Sequence, residues 1–105
     1  MAEFNNVSIA KAANILFDGN ITSRTIVFED NSRKTLGIML PGEYELNTVH
    51  KEVMDIQRGV LEVMLPAQDW VKYEGPASFE IQANSKFKLR VHSLVDYCCS
   101  FIKNH

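Results

Sequence analysis

Apolar and polar residues alternate with a period of two through most of the chain. Runs rich in Val, Ile, Phe, Tyr and Thr are broken by turn residues about every 8 to 12 positions. Successive strand side chains point to opposite faces, so this spacing predicts an all-β domain, an antiparallel barrel or sandwich. Asn14–Phe17 and Ile21–Phe28 flank Asp18-Gly19, a dipeptide whose glycine accepts positive φ, which predicts a tight hairpin. Glu29-Asp30-Asn31-Ser32 reads as the next turn, and Thr35–Leu40 as a strand stopped by Pro41-Gly42. Glu43–Thr48 alternates again. Glu52–Arg58 and Val60–Leu65 form two strands about Gly59, with Met54, Ile56, Leu61, Val63 and Leu65 as their apolar side. After a turn at Glu74-Gly75-Pro76-Ala77 come a short strand, Ser78–Ile81, and then Ser85–Val91, where Phe87, Leu89 and Val91 oppose water-facing Lys86, Lys88 and Arg90. Tyr97–Ile102 closes the pattern, because Tyr97, Cys99 and Phe101 fit a period of two better than a helical stripe. The one arguable helix, Val7–Ala13, is opposed by the weak helix propensity of Val7 and Asn14. No repeat, linker or low-complexity tract interrupts residues 1–105, which read as a single domain.

Composition narrows the partners. With 105 residues and 46% hydrophobic content, the chain matches one ordinary domain, which buries roughly 65% of the surface its unfolded form exposes. So modest a core favours association, and a homodimer is expected. Eleven basic against 13 acidic residues leave a net charge of −2, with no basic excess for nucleic acid or an anionic membrane. Lys11 and scattered polar residues interrupt Met1–Phe17, which predicts neither a signal peptide nor a membrane span, and hence a cytoplasmic location. The two cysteines, Cys98 and Cys99, are neighbours and rarely able to bond each other, so both are expected reduced.

Candidate chemistry begins with exclusions. No Gly-rich phosphate loop, Cys-x-x-Cys, His-Glu-x-x-His or Gly-x-Ser-x-Gly occurs. His50 and His92 lie far apart without a second ligand at metal spacing, and His105 is terminal. Glu52, six residues, then Gly59 resembles the first motif of the cupins (RmlC-like proteins), small antiparallel β-barrels of the jelly-roll kind. The paired histidines that precede that glutamate in metal-binding cupins are replaced here by Glu45-Leu46-Asn47-Thr48.

Longer strings extend the resemblance. Ser23-Arg24-Thr25, Ser32 through Tyr44, Leu61-Glu62-Val63-Met64-Leu65-Pro66 and Asp96-Tyr97-Cys98-Cys99-Ser100 are similar to the small cupin family of pyrimidine/purine nucleoside phosphorylases. The agreement spans about Val7 to Ile102 and departs at Gln82-Ala83, where the family leads one to expect proline. The resemblance implies phosphorolysis of purine and pyrimidine nucleosides to free base and α-D-ribose 1-phosphate, with inorganic phosphate as co-substrate and no cofactor or metal.

That reaction needs an anion clamp, a holder for the ribose hydroxyls, a surface for the base and stabilisation of an oxocarbenium-like sugar. Arg33, in the polar loop entering the Thr35 strand, offers a guanidinium fork for phosphate, or else is a solvated turn arginine; Arg24 and Lys34 are weaker candidates. Glu52 shares a face with Met54 and Ile56, so its carboxylate is expected inside, either accepting from ribose hydroxyls and favouring positive charge at the anomeric carbon or pairing with an arginine. Tyr44 and Thr48 share a face with Leu46 and either line the same pocket or simply pack. Phe87 and Tyr97 are the aromatics placed to stack on a base or to fill the core, and stacking suits both ring sizes because every base has a π-face. Trp70, in a loop, is a candidate interface residue, and Cys99 a buried small hydrophobe. Two other readings stand beside this one: a non-catalytic small-ligand-binding cupin, and a metal enzyme built on His50, His92 and Glu52.

Overall fold

A computed structural model describes residues 2–103. Alternation has produced strands nearly everywhere it was expected: β1 (Ser8–Ile9), β2 (Asn14–Leu16), β3 (Ile21–Val27), β4 (Arg33–Met39), β5 (Gly42–Asn47), β6 (Lys51–Arg58), β7 (Val60–Met64), β8 (Val71–Glu74), β9 (Ala77–Ile81), β10 (Lys86–Val91) and β11 (Val95–Ile102). They form two antiparallel sheets, a large one in the order β1-β3-β4-β11-β6-β9, with β2 also on β3, and a small one in the order β5-β10-β7-β8. The result is a jelly-roll sandwich with an open interior rather than a closed barrel. Inward side chains of both sheets, among them Ile21, Ile56, Leu61, Ile81, Leu89 and Val95, are almost fully buried and make one core. Lys86 and Lys88 face water, as alternation requires.

Two glycines let the layers close. Gly59 turns the chain between β6 and β7 at φ +105°, a region that L side chains rarely adopt. Gly37, in the middle of β4, has no such φ but no room either. A Cβ there would collide with the Thr22 carbonyl and stand 2.8 Å from the Tyr97 hydroxyl.

Two expectations are corrected, and the doubtful helix at Val7–Ala13 is absent, as its propensity argued. Leu16 pairs with Ile21, so the connection is the four residues Phe17–Asn20 rather than a two-residue turn. Phe17, Asp18 and Gly19 all take positive φ there, Asn20 N–H donates to the Phe17 carbonyl at 3.1 Å, and the Phe17 ring rests on Tyr44 at 4.9 Å. The Val7–Ala13 segment supplies the short strand β1, because pairing Ser8 and Ile9 with Val27 and Ile26 satisfies backbone groups that a weak helix would not. Val71–Glu74 is a strand that the loop assignment around Trp70 missed. It pairs with β7, while the Arg90 guanidinium lies 3.9 Å from the Trp70 ring centre and Arg90 Nε donates to Glu43 Oε1 at 2.9 Å. His105 lies outside the described residues.

Candidate functional site

Between the two sheets lies a cavity of about 960 Å³. Leu46, Phe87 and Leu89 of the small sheet form one wall, and inward residues of β2, β3, β4, β6 and β11 form the other. Exposed lining residues, among them Asp30, Asn31, Arg33, Asn47, His50 and Lys103, mark the mouth.

Strand register orders the charged groups. Phe101 of β11 is paired with Glu52 of β6, and Val27 of β3 with Arg33 of β4. Thr35 faces Cys99 and Lys34 faces Ser100 across β4 and β11, and the same progression sets Arg33 beside Phe101. Arg33, Phe101 and Glu52 therefore stand in one row, with the backbones of Arg33 and Glu52 two strand spacings, or about 10 Å, apart. Both side chains line the cavity. On the Arg33 side, Asn14 Nδ2 donates to Ser23 Oγ at 3.2 Å and to Thr25 Oγ1 at 3.1 Å. Each of those hydroxyls accepts from the amide and so keeps its own proton to donate elsewhere.

On the other side, the Cys99 thiol donates to Glu52 Oε1 at 3.4 Å. Burial pushes the Glu52 carboxyl above its ordinary range, opposed by the hydrogen bond from Cys99 and by the nearby His50. Burial, followed by the charge of Glu52, holds the Cys99 thiol protonated. Tyr97, whose hydroxyl points toward the Thr22 carbonyl at 3.5 Å, is pushed up to about 12, first by burial, so it stays a neutral donor. No arginine pairs with Glu52 among the ion pairs of the described residues.

Four sequence candidates thus meet in one place: Arg33, Glu52, Phe87 and Tyr97 all line the cavity. Three do not. Arg24 is exposed on the outer face of β3, because alternation turns Ser23 and Thr25 inward in its stead. Tyr44 is buried beside the cavity, its hydroxyl donating to the Leu40 carbonyl at 2.6 Å. Thr48 is buried too, donating to the Gln82 carbonyl at 2.6 Å and accepting from Ser85 N–H at 3.0 Å. It anchors the turn that contains Gln82-Ala83, whose residues do not line the cavity. Lys34 also points outward, its ammonium 5.4 Å and 5.7 Å from the Phe4 and Phe28 ring centres.

The histidines separate. His50 stands at the cavity mouth, whereas His92 Nε2 meets Glu62 Oε1 at 2.7 Å on the outer face of the small sheet. The set His50, His92 and Glu52 is therefore not assembled, and no group of three His, Cys, Asp or Glu side chains among the described residues is placed to hold a metal ion.

Comparison with known proteins identifies the scaffold. The family model described as pyrimidine/purine nucleoside phosphorylase matches residues 11–101. The chain belongs to that family. A protein of Chlorobium chlorochromatii named pyrimidine/purine nucleoside phosphorylase is 55% identical, covering 97% of this chain and 99% of its own. One of that name from Leptospira interrogans is 50% identical over 99% of both. Among solved structures, a protein of unknown function from an Acinetobacter species superimposes with a TM-score of 0.90 at 31% identity, covering 95% of this chain and 98% of that one. An RmlC-like cupin with a double-stranded β-helix fold from Methanocaldococcus jannaschii aligns at a TM-score of 0.65 and 11% identity, over 88% and 89% of the two chains, which is a likeness of fold.

In this chain Arg33, Glu52, Phe87 and Tyr97 line the cavity between the sheets. Residues missed in the sequence, Asn14, Ser23, Thr25 and Thr35, line it as well, as does His50, which the sequence offered only as a metal ligand. The signal for two of them was present: Ser23-Arg24-Thr25 alternates, and only one face of it can be inside.

Proposed function

We propose that this member of the nucleoside phosphorylase family transfers a pentosyl group from a purine or pyrimidine nucleoside to inorganic phosphate, releasing free base and α-D-ribose 1-phosphate. The observation that carries the proposal is the row Arg33, Phe101, Glu52 along a cavity of about 960 Å³, in a chain about half identical to proteins named for that activity. A phosphate oxygen attacks the anomeric carbon as the carbon–nitrogen bond breaks, and the base departs with the electron pair and takes up a proton. Arg33 holds the phosphate through its fork, with the Ser23 and Thr25 hydroxyls on the same side as further donors. Glu52 accepts from the ribose hydroxyls, and its negative charge favours the positive charge that develops on the sugar. Phe87 offers a face for the base, and stacking reads no edge, which suits purines and pyrimidines alike.

These side chains supply both the anion clamp and the charge stabilisation, so the reaction is proposed to need neither metal nor organic cofactor. We further propose that the protein acts as a homodimer in the cytoplasm. Exposed Ile15 and Leu36 on the large sheet support the first, and two buried free thiols suit a reducing compartment. The deciding experiment is chromatography of uridine and adenosine digests, with and without phosphate, after treatment with a chelator. Release of uracil and adenine that requires phosphate and survives chelation is the expected result. Absence of release from every nucleoside tested overturns the proposal.

A further inference from the structure

The Glu52 carboxylate has two oxygens, and the fold treats them differently. Val95, Tyr97, Cys99 and Phe101 alternate onto the inner face of β11, while Glu52 and Met54 do so on β6. Cys99 is paired with Met54 and Phe101 with Glu52, so Cys99 and Glu52 are diagonal neighbours on the same face, a separation that long side chains bridge. The bridge is made: Cys99 Sγ stands 3.4 Å from Glu52 Oε1, and the thiol is the only group of the pair with a proton to give when the carboxylate is charged. Cys99 is 4% exposed, clamped between Thr35 and Met54 on its two neighbouring strands, so its sulfur has little freedom to leave.

We propose that Cys99 is a positioning residue for the reaction: its thiol fixes Glu52 Oε1 against the sheet and leaves Oε2 turned to the ribose hydroxyls. This role rests on the phosphorylase reading of the cavity. A thiol suits it because burial and the adjacent carboxylate keep it protonated at every working pH, so the donor is never lost. The same hydrogen bond works against the burial that raises the Glu52 carboxyl, and so favours its carboxylate form. The other titratable groups lining the cavity are Asp30, Arg33, His50, Tyr97 and Lys103; of these His50 also lowers Glu52, and none replaces the Cys99 contact.

The test compares Cys99→Ala, which removes the donor, with Cys99→Ser, which restores one. Uridine phosphorolysis is followed from pH 5 to 9, and the Glu52 carboxyl is titrated by carbon-13 NMR in each protein. Cys99→Ala is expected to lower kcat/KM for uridine by about 5- to 10-fold, the size of one ordinary hydrogen bond, since a thiol is a weak donor even to a charged group. It is expected to leave KM for phosphate unchanged and to move both the acid limb and the NMR titration of Glu52 to higher pH. Cys99→Ser is expected to return kcat/KM and the acid limb to the wild-type values. A Cys99→Ala protein with an unshifted Glu52 titration overturns the proposal, as does a Cys99→Ser protein that behaves like Cys99→Ala. A Glu52 titration shifted by Cys99→Ala, when the wild-type protein releases no base, overturns the phosphorylase reading and the proposed role with it, while showing the hydrogen bond to be real.

Discussion

At the scale of single residues, Arg33 and Glu52 carry opposite tasks and are expected to fail in different ways. Arg33→Ala removes a charge-assisted fork at the cavity mouth, so KM for phosphate is expected to rise about 10- to 100-fold while nucleoside affinity holds. Initial rates at varied phosphate and fixed uridine check this, and an unchanged phosphate dependence removes Arg33 from the clamp. Glu52→Gln keeps the shape and loses the charge, so kcat is expected to fall about 100-fold. Stability moves the other way. Burial raises the Glu52 carboxyl, so the folded chain holds a proton there that the unfolded chain has released, and stability from this group falls as pH climbs through the raised value. Glu52→Gln is therefore expected to melt above the wild type at pH 7 and level with it near pH 4. Paired melting curves at the two pH values show whether the carboxylate is held at a cost to the fold.

Among the strands, the pattern that was legible in the sequence is the pattern of burial. Phe87, Leu89 and Val91 alternate against Lys86, Lys88 and Arg90 because one face of β10 is packed and the other wet, and a period of two reports that difference directly. The orientation of Glu52 followed from Met54 and Ile56 in the same way. Edge strands left weaker traces: in Val71–Glu74 both Val71 and Lys72 are exposed, so no alternation marks it. Tyr44 and Thr48 show a second limit. Both are inward, as read, but inward is not the same as facing the cavity, and their hydroxyls are spent on backbone carbonyls, Tyr44 on Leu40 just before its own strand and Thr48 on Gln82 far along the chain. Close approach between strands is equally invisible. Gly37→Ala is expected to destabilise the fold by about 2 kcal/mol, because its methyl meets the Thr22 backbone and the Tyr97 hydroxyl together. Urea denaturation gives the value, and a loss below that of an ordinary surface substitution refutes the crowding.

For the whole molecule, the pairing order matters most. Thr35 must find Cys99, and Ile21 must find Met39, before the large sheet exists, so the nucleus closes long loops before contacts repay them. Refolding is expected on the order of milliseconds to seconds, slower than for a helical chain of the same length. Trp70 is a convenient reporter, since it stacks on Arg90 at the far side of the small sheet and does not line the cavity. Stopped-flow fluorescence after dilution from denaturant measures the rate, and a microsecond phase that recovers the whole signal contradicts the expectation.

The row Arg33, Phe101, Glu52 has one consequence for how such a site can change. Its span is a count of backbone ladders, and hydrogen bonding admits whole ladders only, so the sheet acts as a ruler with coarse divisions. Substrates of slightly different length cannot be met by sliding β4 against β6, since a slip of one residue would turn every inward side chain outward. Adjustment is left to the side chains at the two ends. Arginine to lysine at one end, or glutamate to aspartate at the other, is the finest step the scaffold permits.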